Sequence, residues 1–113
     1  MSGLQVPHEF HADRCTAALV GEARLETIGV FDALAQEIED RPDTNAVILD
    51  LSRLEFMDSA STGSILRLHL RMDGAGGKLV MHSLPRFTQR LFDRLGLDQF
   101  HVAADAAAAA ERL

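Results

Sequence analysis

The sequence is poor in cysteine, in the larger aromatic residues and in long apolar runs. A single cysteine, Cys15, among 113 residues excludes an intramolecular disulfide and a cysteine-rich zinc site. No run of 18 apolar residues is present, which argues against a membrane-spanning helix. The first five residues also lack the basic and apolar regions of a secretion signal. We therefore expect a cytoplasmic protein that does not insert into a membrane.

The absence of Trp and Tyr and the shortage of positive charge disfavour nucleic acid as a partner. The formal net charge is −6, and residues 1–58 alone carry 12 acidic and 4 basic side chains. Nucleic acid binding relies on basic stripes and on aromatic rings that stack on bases. We expect no nucleic acid partner.

What the sequence does contain is an ordinary globular composition with alternating strand and helix patterns. Apolar residues make up 47% of the chain and charged residues 25%, which suits a single domain over residues 1–113. Strands are predicted at about 4–11, 15–20, 46–51, 78–82 and 99–103, and helices at about 27–40, 58–73, 85–95 and 106–110. This order predicts an α/β fold with a mixed, mostly parallel sheet of about five strands and about four α-helices.

Two local features refine this prediction. Gly21 is expected to end the second strand, and residues 52–59 form the longest predicted connection from a strand to a helix. Ligands and partners usually meet such folds at the carboxyl ends of parallel strands, where this connection would lie.

The enzyme motifs that the sequence approaches are all incomplete. The glycine-rich segment 74–77 lacks the first glycine and the magnesium-binding hydroxyl of a phosphate loop. Ser59 occupies the first glycine position of a would-be nucleophile elbow at 59–63. His8 and His11 lie in a predicted strand and would point to opposite faces. We therefore expect no enzymatic activity, no metal and no cofactor.

The most informative segment, FMDSASTGSIL, begins at Phe56. Asp58 and Ser59 stand where a helix is predicted to start, a position that favours a capping side chain. A phosphorylatable serine is the functional alternative, because a phosphate is compatible with the first turn of a helix. Both interpretations can hold together.

Four stretches of the chain resemble one protein family. Residues 47–59 (VILDLSRLEFMDS) are similar to the central segment of the bacterial anti-sigma factor antagonists, members of the STAS domain family. Residues 84–85 (LP) and 90–97 (RLFDRLGL) match later family positions, and Gly21-Glu22 matches the start of the first long loop. The resemblance covers nearly the whole chain and implies a STAS-like domain.

The resemblance implies a partner-switching protein that controls transcription. Such antagonists bind an anti-sigma factor that is also an ATP-dependent serine kinase, and this binding releases a sigma factor. The kinase phosphorylates the serine after the aspartate, here Ser59, and a PP2C-type phosphatase restores it. The family pattern after that serine is Ser/Thr-Gly-Leu-Gly, whereas this chain has Ala-Ser-Thr-Gly, so Ser61 and Thr62 are rival acceptors.

The partner surface is expected around this serine. Arg24 occupies a loop position at which the family usually has an aspartate. The candidate partner-binding residues are Glu22, Arg24, Asp58, Ser59, Ala60, Ser61, Thr62 and Leu66.

Two predicted helices carry patterned surfaces. On the second, Ile65, Leu68 and Met72 form an apolar stripe that Leu66 and Leu70 widen, and one of these two leucines is a candidate partner contact. His69 lies within that arc and is expected to be a core histidine with its hydrogen bonds made. On the third helix the arginines at positions 86, 90 and 94 are expected to form a solvated face.

Two other functions fit a STAS-like domain. One is a non-phosphorylated subunit of a membrane transport system that sits against a permease. The other is a protomer of a stressosome-like scaffold. The antagonist itself is expected to be a monomer or a weak dimer.

Overall fold

The computed structural model describes residues 3–113, and within this range the chain forms eight strands and four helices. The strands are β1 (Leu4–Gln5), β2 (His8–His11), β3 (Arg14–Ala18), β4 (Val20–Ala23), β5 (Ala46–Asp50), β6 (Leu54–Met57), β7 (Lys78–His82) and β8 (His101–Ala103). The helices are α1 (Gly29–Glu39), α2 (Ser59–Gly74), α3 (Arg86–Leu95) and α4 (Ala106–Glu111).

The main sheet has five strands in the order β2-β3-β5-β7-β8. Strands β3, β5, β7 and β8 run parallel, and β2 forms an antiparallel hairpin with β3. The predicted α/β fold, with a mixed and mostly parallel five-stranded sheet and four helices, is confirmed. The single-domain boundary of 1–113 stays a prediction.

Both faces of the main sheet are covered, which explains the unbroken apolar runs of β5 and β7. On one face Val47 and Leu49 join the main core with α1 and α2. On the other face Ile48 and Val80 pack with Ala109 of α4 in a smaller cluster.

A second, three-stranded sheet with the order β1-β4-β6 was not predicted. The expected strands 4–11 and 15–20 are each divided in two, the first at Val6-Pro7, because proline has no amide hydrogen to donate to a ladder. The prediction that Gly21 ends a strand was wrong. Gly21 lies inside β4 with φ +109°, next to a register shift that bends the strand.

The prediction that residues 52–59 form one long connection was wrong, because strand β6 lies within this segment. The chain turns at Ser52-Arg53 and then forms β6, which pairs parallel with β4. The pairing places the carboxyl ends of β4 and β6 side by side, directly before α2 begins.

The helices lie close to their predicted positions. Helix α1 begins later than expected, since the Thr27 hydroxyl donates to the Glu22 carbonyl at 2.7 Å and accepts the Arg24 N–H at 2.9 Å. These bonds hold the preceding residues in a turn. Helix α3 ends at Gly96, whose φ of 68° confirms the predicted glycine cap.

The patterned helix faces are largely as expected. Ile65, Leu68 and Met72 are buried, Leu66 packs partly against the core, and Leu70 is 54% exposed. The arginine stripe of α3 is exposed.

His69 is a partial correction. It is buried as expected, but its Nδ1 has no hydrogen-bond partner in the part of the chain that the structure describes. Its ring instead packs edge-on against Phe100, with the ring centroids 5.4 Å apart, so ring packing and not hydrogen bonding holds it.

Among the helices of residues 3–113, none has the length and apolar character needed to cross a bilayer. The same residues contain no group of three or more His, Cys, Asp or Glu side chains placed to hold a metal ion.

Candidate functional site

The candidate site lies where the carboxyl ends of β4 and β6 meet the first turn of α2. Parallel pairing sets Glu22 beside Phe56 and Ala23 beside Met57. The Asp58 N–H then donates to the Ala23 carbonyl at 3.1 Å. This bond fixes the start of α2 against the end of β4.

The Asp58 carboxylate joins α2 to the loop between β4 and α1. Its Oδ1 accepts the Ser61 N–H at 2.8 Å and the Ser61 hydroxyl at 2.6 Å, while Oδ2 accepts the Leu25 N–H at 2.9 Å. The predicted helix cap is therefore confirmed, and the same side chain also anchors a loop 33 residues away in sequence.

The charged form of Asp58 is favoured by these contacts. Burial by itself raises the pKa of this carboxyl, but the bonds from Ser61 and Leu25, with a smaller effect of the Arg24 charge, bring the pKa below its ordinary value. Asp58 is thus an anion that its donors hold in place.

The three candidate acceptors differ in accessibility. Ser59, the first residue of α2, is exposed, and its hydroxyl makes no hydrogen bond to any described residue. Ser61 and Thr62 are 0% and 2% exposed. The hydroxyl of Ser61 faces Asp58 and the Ala23 carbonyl, and that of Thr62 donates to the Asp58 carbonyl at 3.1 Å.

Arg24 is held by two neighbours. Its Nε and Nη2 both lie 2.8 Å from the Glu22 carboxylate oxygen Oε1, and its guanidinium lies 4.1 Å above the centre of the Phe56 ring. The Arg24 side chain still keeps 41% of its surface exposed. The loop arginine thus presents a positive charge at the surface instead of folding away from it.

Two apolar residues complete the surface, and the sequence reasoning did not single them out as partner contacts. Leu25 is 68% exposed and Phe56 is 36% exposed. Leu25 lies between Arg24 and Glu26 in a polar loop, outside any helical periodicity. An isolated apolar residue in such a loop was the one feature of the sequence that could have indicated an exposed contact.

The fold brings together most of the predicted site residues. Glu22, Arg24, Asp58, Ser59 and Ala60 surround the junction of β4, β6 and α2. Leu66 is seven residues along α2 from Ser59, a separation of about 10 Å at the rise of an α-helix. We refer to Arg24, Leu25, Phe56, Ser59 and Ala60 as the junction surface.

Comparisons with known proteins agree with this architecture. An anti-sigma F factor antagonist of Paenibacillus polymyxa is 29% identical over 94 residues, which cover 83% of this chain and 80% of that protein. The structure of the Bacillus cell fate determinant SpoIIAA in its phosphorylated form has a TM-score of 0.74 at 19% identity, covering 97% of this chain and 98% of that one.

An anti-sigma factor antagonist from Mycobacterium paratuberculosis has a TM-score of 0.85 at 17% identity, covering 97% and 93% of the two chains. At these identities the structural likeness establishes the fold. The sequence model of the family described as "Mlab, STAS domain" matches residues 8–104. The chain therefore belongs to the STAS domain family.

Proposed function

We propose that this protein is an anti-sigma factor antagonist that binds an anti-sigma serine kinase, thereby releases a sigma factor, and is switched off by phosphorylation at Ser59. The accessibility of Ser59 carries the proposal. It is exposed at the start of α2, next to an aspartate that caps the helix. The similarity to the Paenibacillus antagonist over most of both chains supports the same function.

Ser59 is favoured over its rivals because a kinase must reach the hydroxyl. Ser61 and Thr62 are buried and already bonded to Asp58, so modifying either would require the first turn of α2 to open. We assign these two residues to the framework that holds the surface. Asp58 belongs to the same framework, since its carboxylate is occupied by Ser61 and Leu25.

The chemistry of the switch would come from the partners. The kinase transfers the γ-phosphoryl group of ATP to Ser59 Oγ, with release of ADP and of the hydroxyl proton. The PP2C-type phosphatase hydrolyses the resulting ester. A phosphoserine adds a charge of about −1.5 to −2 beside Asp58, and like-charge repulsion and desolvation then oppose docking of the kinase.

The junction surface supplies the contacts that such a partner needs. Leu25 and Phe56 offer exposed apolar area, and Arg24 offers a positive charge beside them. Apolar and aromatic anchors with an arginine are typical of the residues that dominate protein interfaces. Ser59 and Ala60 are small, so a partner can approach the backbone of α2 closely.

Affinity capture from a cell extract, with the full chain carrying Ser59→Ala or Ser59→Asp as bait, tests the proposal. The alanine bait should retain an ATP-binding serine kinase, and the aspartate bait should lose it. Ser52→Asp is the matched control, because it adds the same charge at an exposed serine in the turn before β6. This control should retain the kinase.

Two outcomes would instead support the other candidate functions. Retention of the same membrane permease by all three baits would contradict the switch and favour a transport subunit. A very large particle in light scattering of the purified protein would favour a scaffold protomer. With the kinase in hand, mass spectrometry should find one phosphate on Ser59 after incubation with ATP, and a phosphate on Ser61 or Thr62 would refute the assignment.

A further inference from the structure

Arg24 has hydrogen-bonding capacity that its contacts leave unused. Glu22 engages Nε and Nη2, and the Phe56 ring supports the face of the guanidinium. Nη1 has no hydrogen-bond partner among residues 3–113. A guanidinium carries five N–H donors in a fixed plane, so one edge of Arg24 is held and the other stays available.

The backbone brings the chain at Arg24 close to the start of α2. Ala23 accepts the Asp58 N–H through its carbonyl, and Leu25 donates its own N–H to Asp58 Oδ2. The residues on both sides of Arg24 are thus bonded to the residue that precedes Ser59. Arg24 is also near enough to Asp58 to contribute to the low pKa of that carboxyl.

Phosphorylation of Ser59 would add negative charge close to two carboxylates and one guanidinium. Glu22 and Asp58 contribute two negative charges and Arg24 contributes one positive charge. A phosphate adds nearly two more negative charges. Arginine pairs strongly with phosphate through two parallel N–H donors. The exposed edge of Arg24 is therefore suited to bind the phosphate and to offset part of its negative charge.

We infer that Arg24 binds the phosphate carried by Ser59 while it remains stacked on Phe56, an inference that rests on the proposed modification of Ser59. The phosphate then occupies the donors that a carboxylate on a partner would otherwise use. Phosphorylation therefore acts in two ways at the junction surface: it adds negative charge, and it removes an accessible cation.

The titration of the phosphate itself tests the inference. The full chain is produced with phosphoserine incorporated at position 59 during translation, alone and combined with Arg24→Gln or Arg53→Gln. Arg53 is the matched control because it is an exposed arginine in the turn before β6. The second ionisation of the phosphate is followed by phosphorus NMR as a function of pH.

The phosphate next to an intact Arg24 should titrate about one pH unit lower than in the Arg24→Gln protein, as expected for an adjacent opposite charge. The Arg53→Gln protein should titrate like the parent. Coincident curves for the parent and Arg24→Gln would overturn the inference. Urea unfolding of each protein confirms that the variants are folded.

A second measurement does not depend on any arginine variant. The Nη–H resonances of Arg24, on the edge that Glu22 leaves open, should move between the unmodified and phosphoserine forms of the same chain, and unchanged resonances would overturn the inference. Because the phosphate is encoded, neither measurement needs a kinase. If cells never phosphorylate Ser59, the proposed function fails, but the two NMR measurements still show whether Arg24 binds a phosphate at that position.

Discussion

Replacing Asp58 with alanine should destabilise the protein by about 2.5 kcal/mol. Loss of the helix cap to the Ser61 N–H accounts for about 1 kcal/mol. Loss of the charged hydrogen bond from the Ser61 hydroxyl accounts for about 1.5 kcal/mol more. The bond from Leu25 adds little, since its exposed N–H can bind water instead.

The free energy of unfolding from urea titration measures this effect, and Asp105→Ala is the matched control. Asp105 caps α4 through the Ala108 N–H at 2.9 Å without a second tether. Its replacement should cost about 1 kcal/mol or less. Equal losses for the two variants would refute the conclusion that Asp58 does more than cap a helix.

The Asp58 contribution also depends on pH in a defined direction. Its pKa is lower in the folded protein than the ordinary value of 3.8. The stabilisation is therefore fully present above that value and is lost as the pH falls through the lower folded pKa. The difference in stability between the parent and Asp58→Ala should shrink below about pH 4, and a difference that stays constant down to pH 2 would contradict the assignment.

Three further predictions concern other positions. Gly21→Ala should destabilise by about 2 kcal/mol, because φ is +109° and the new methyl would overlap a backbone carbonyl oxygen. Gly63→Ala, on α2, should instead stabilise by about 1 kcal/mol, because the new methyl would meet only the Arg67 guanidinium, at an ordinary contact distance of 3.8 Å. Urea unfolding compares the two variants, and equal effects would contradict the prediction. Burial raises the pKa of the Cys15 thiol to about 11, so a disulfide reagent at pH 8 should react only on unfolding, and rapid reaction of the native protein would contradict the burial. Leu25→Ser should weaken kinase binding about tenfold in a calorimetric titration. Leu70 is similarly exposed, but Leu70→Ser should leave the affinity unchanged, and equal losses of affinity would place the docking surface elsewhere.

The main sheet could be predicted because its strands have strong local signals. Strand β7 was predicted at its observed bounds, and α3 ended at Gly96 as expected. The small sheet could not be predicted, since β1 has two residues and the two central residues of β6, Glu55 and Phe56, are both exposed. Short strands with polar residues resemble loops until a partner strand is known.

The sequence indicated where a candidate site would lie, at the start of α2, but not the environment of each side chain. The sequence indicated Asp58 as the cap and, through the family resemblance, Ser59 as the acceptor, but it could not show that the rivals Ser61 and Thr62 are buried. Their burial depends on how α2 packs against β4, a contact between residues far apart in sequence. The exposure of Leu25 likewise follows from its anchoring by Asp58 and not from its own residue type.

The two outer strands of the main sheet bear on how the protein behaves at high concentration. Strand β2 is four residues long, follows Pro7, and exposes His8, Glu9 and His11. Strand β8 has three residues, and the Arg112 guanidinium donates to the carbonyl of Val102. Short, charged or occupied edges discourage the strand-to-strand addition that leads to aggregation. Extension of the main sheet by a second copy of the chain is therefore disfavoured, which leaves encounters with other proteins to surfaces away from these two edges, such as the junction surface.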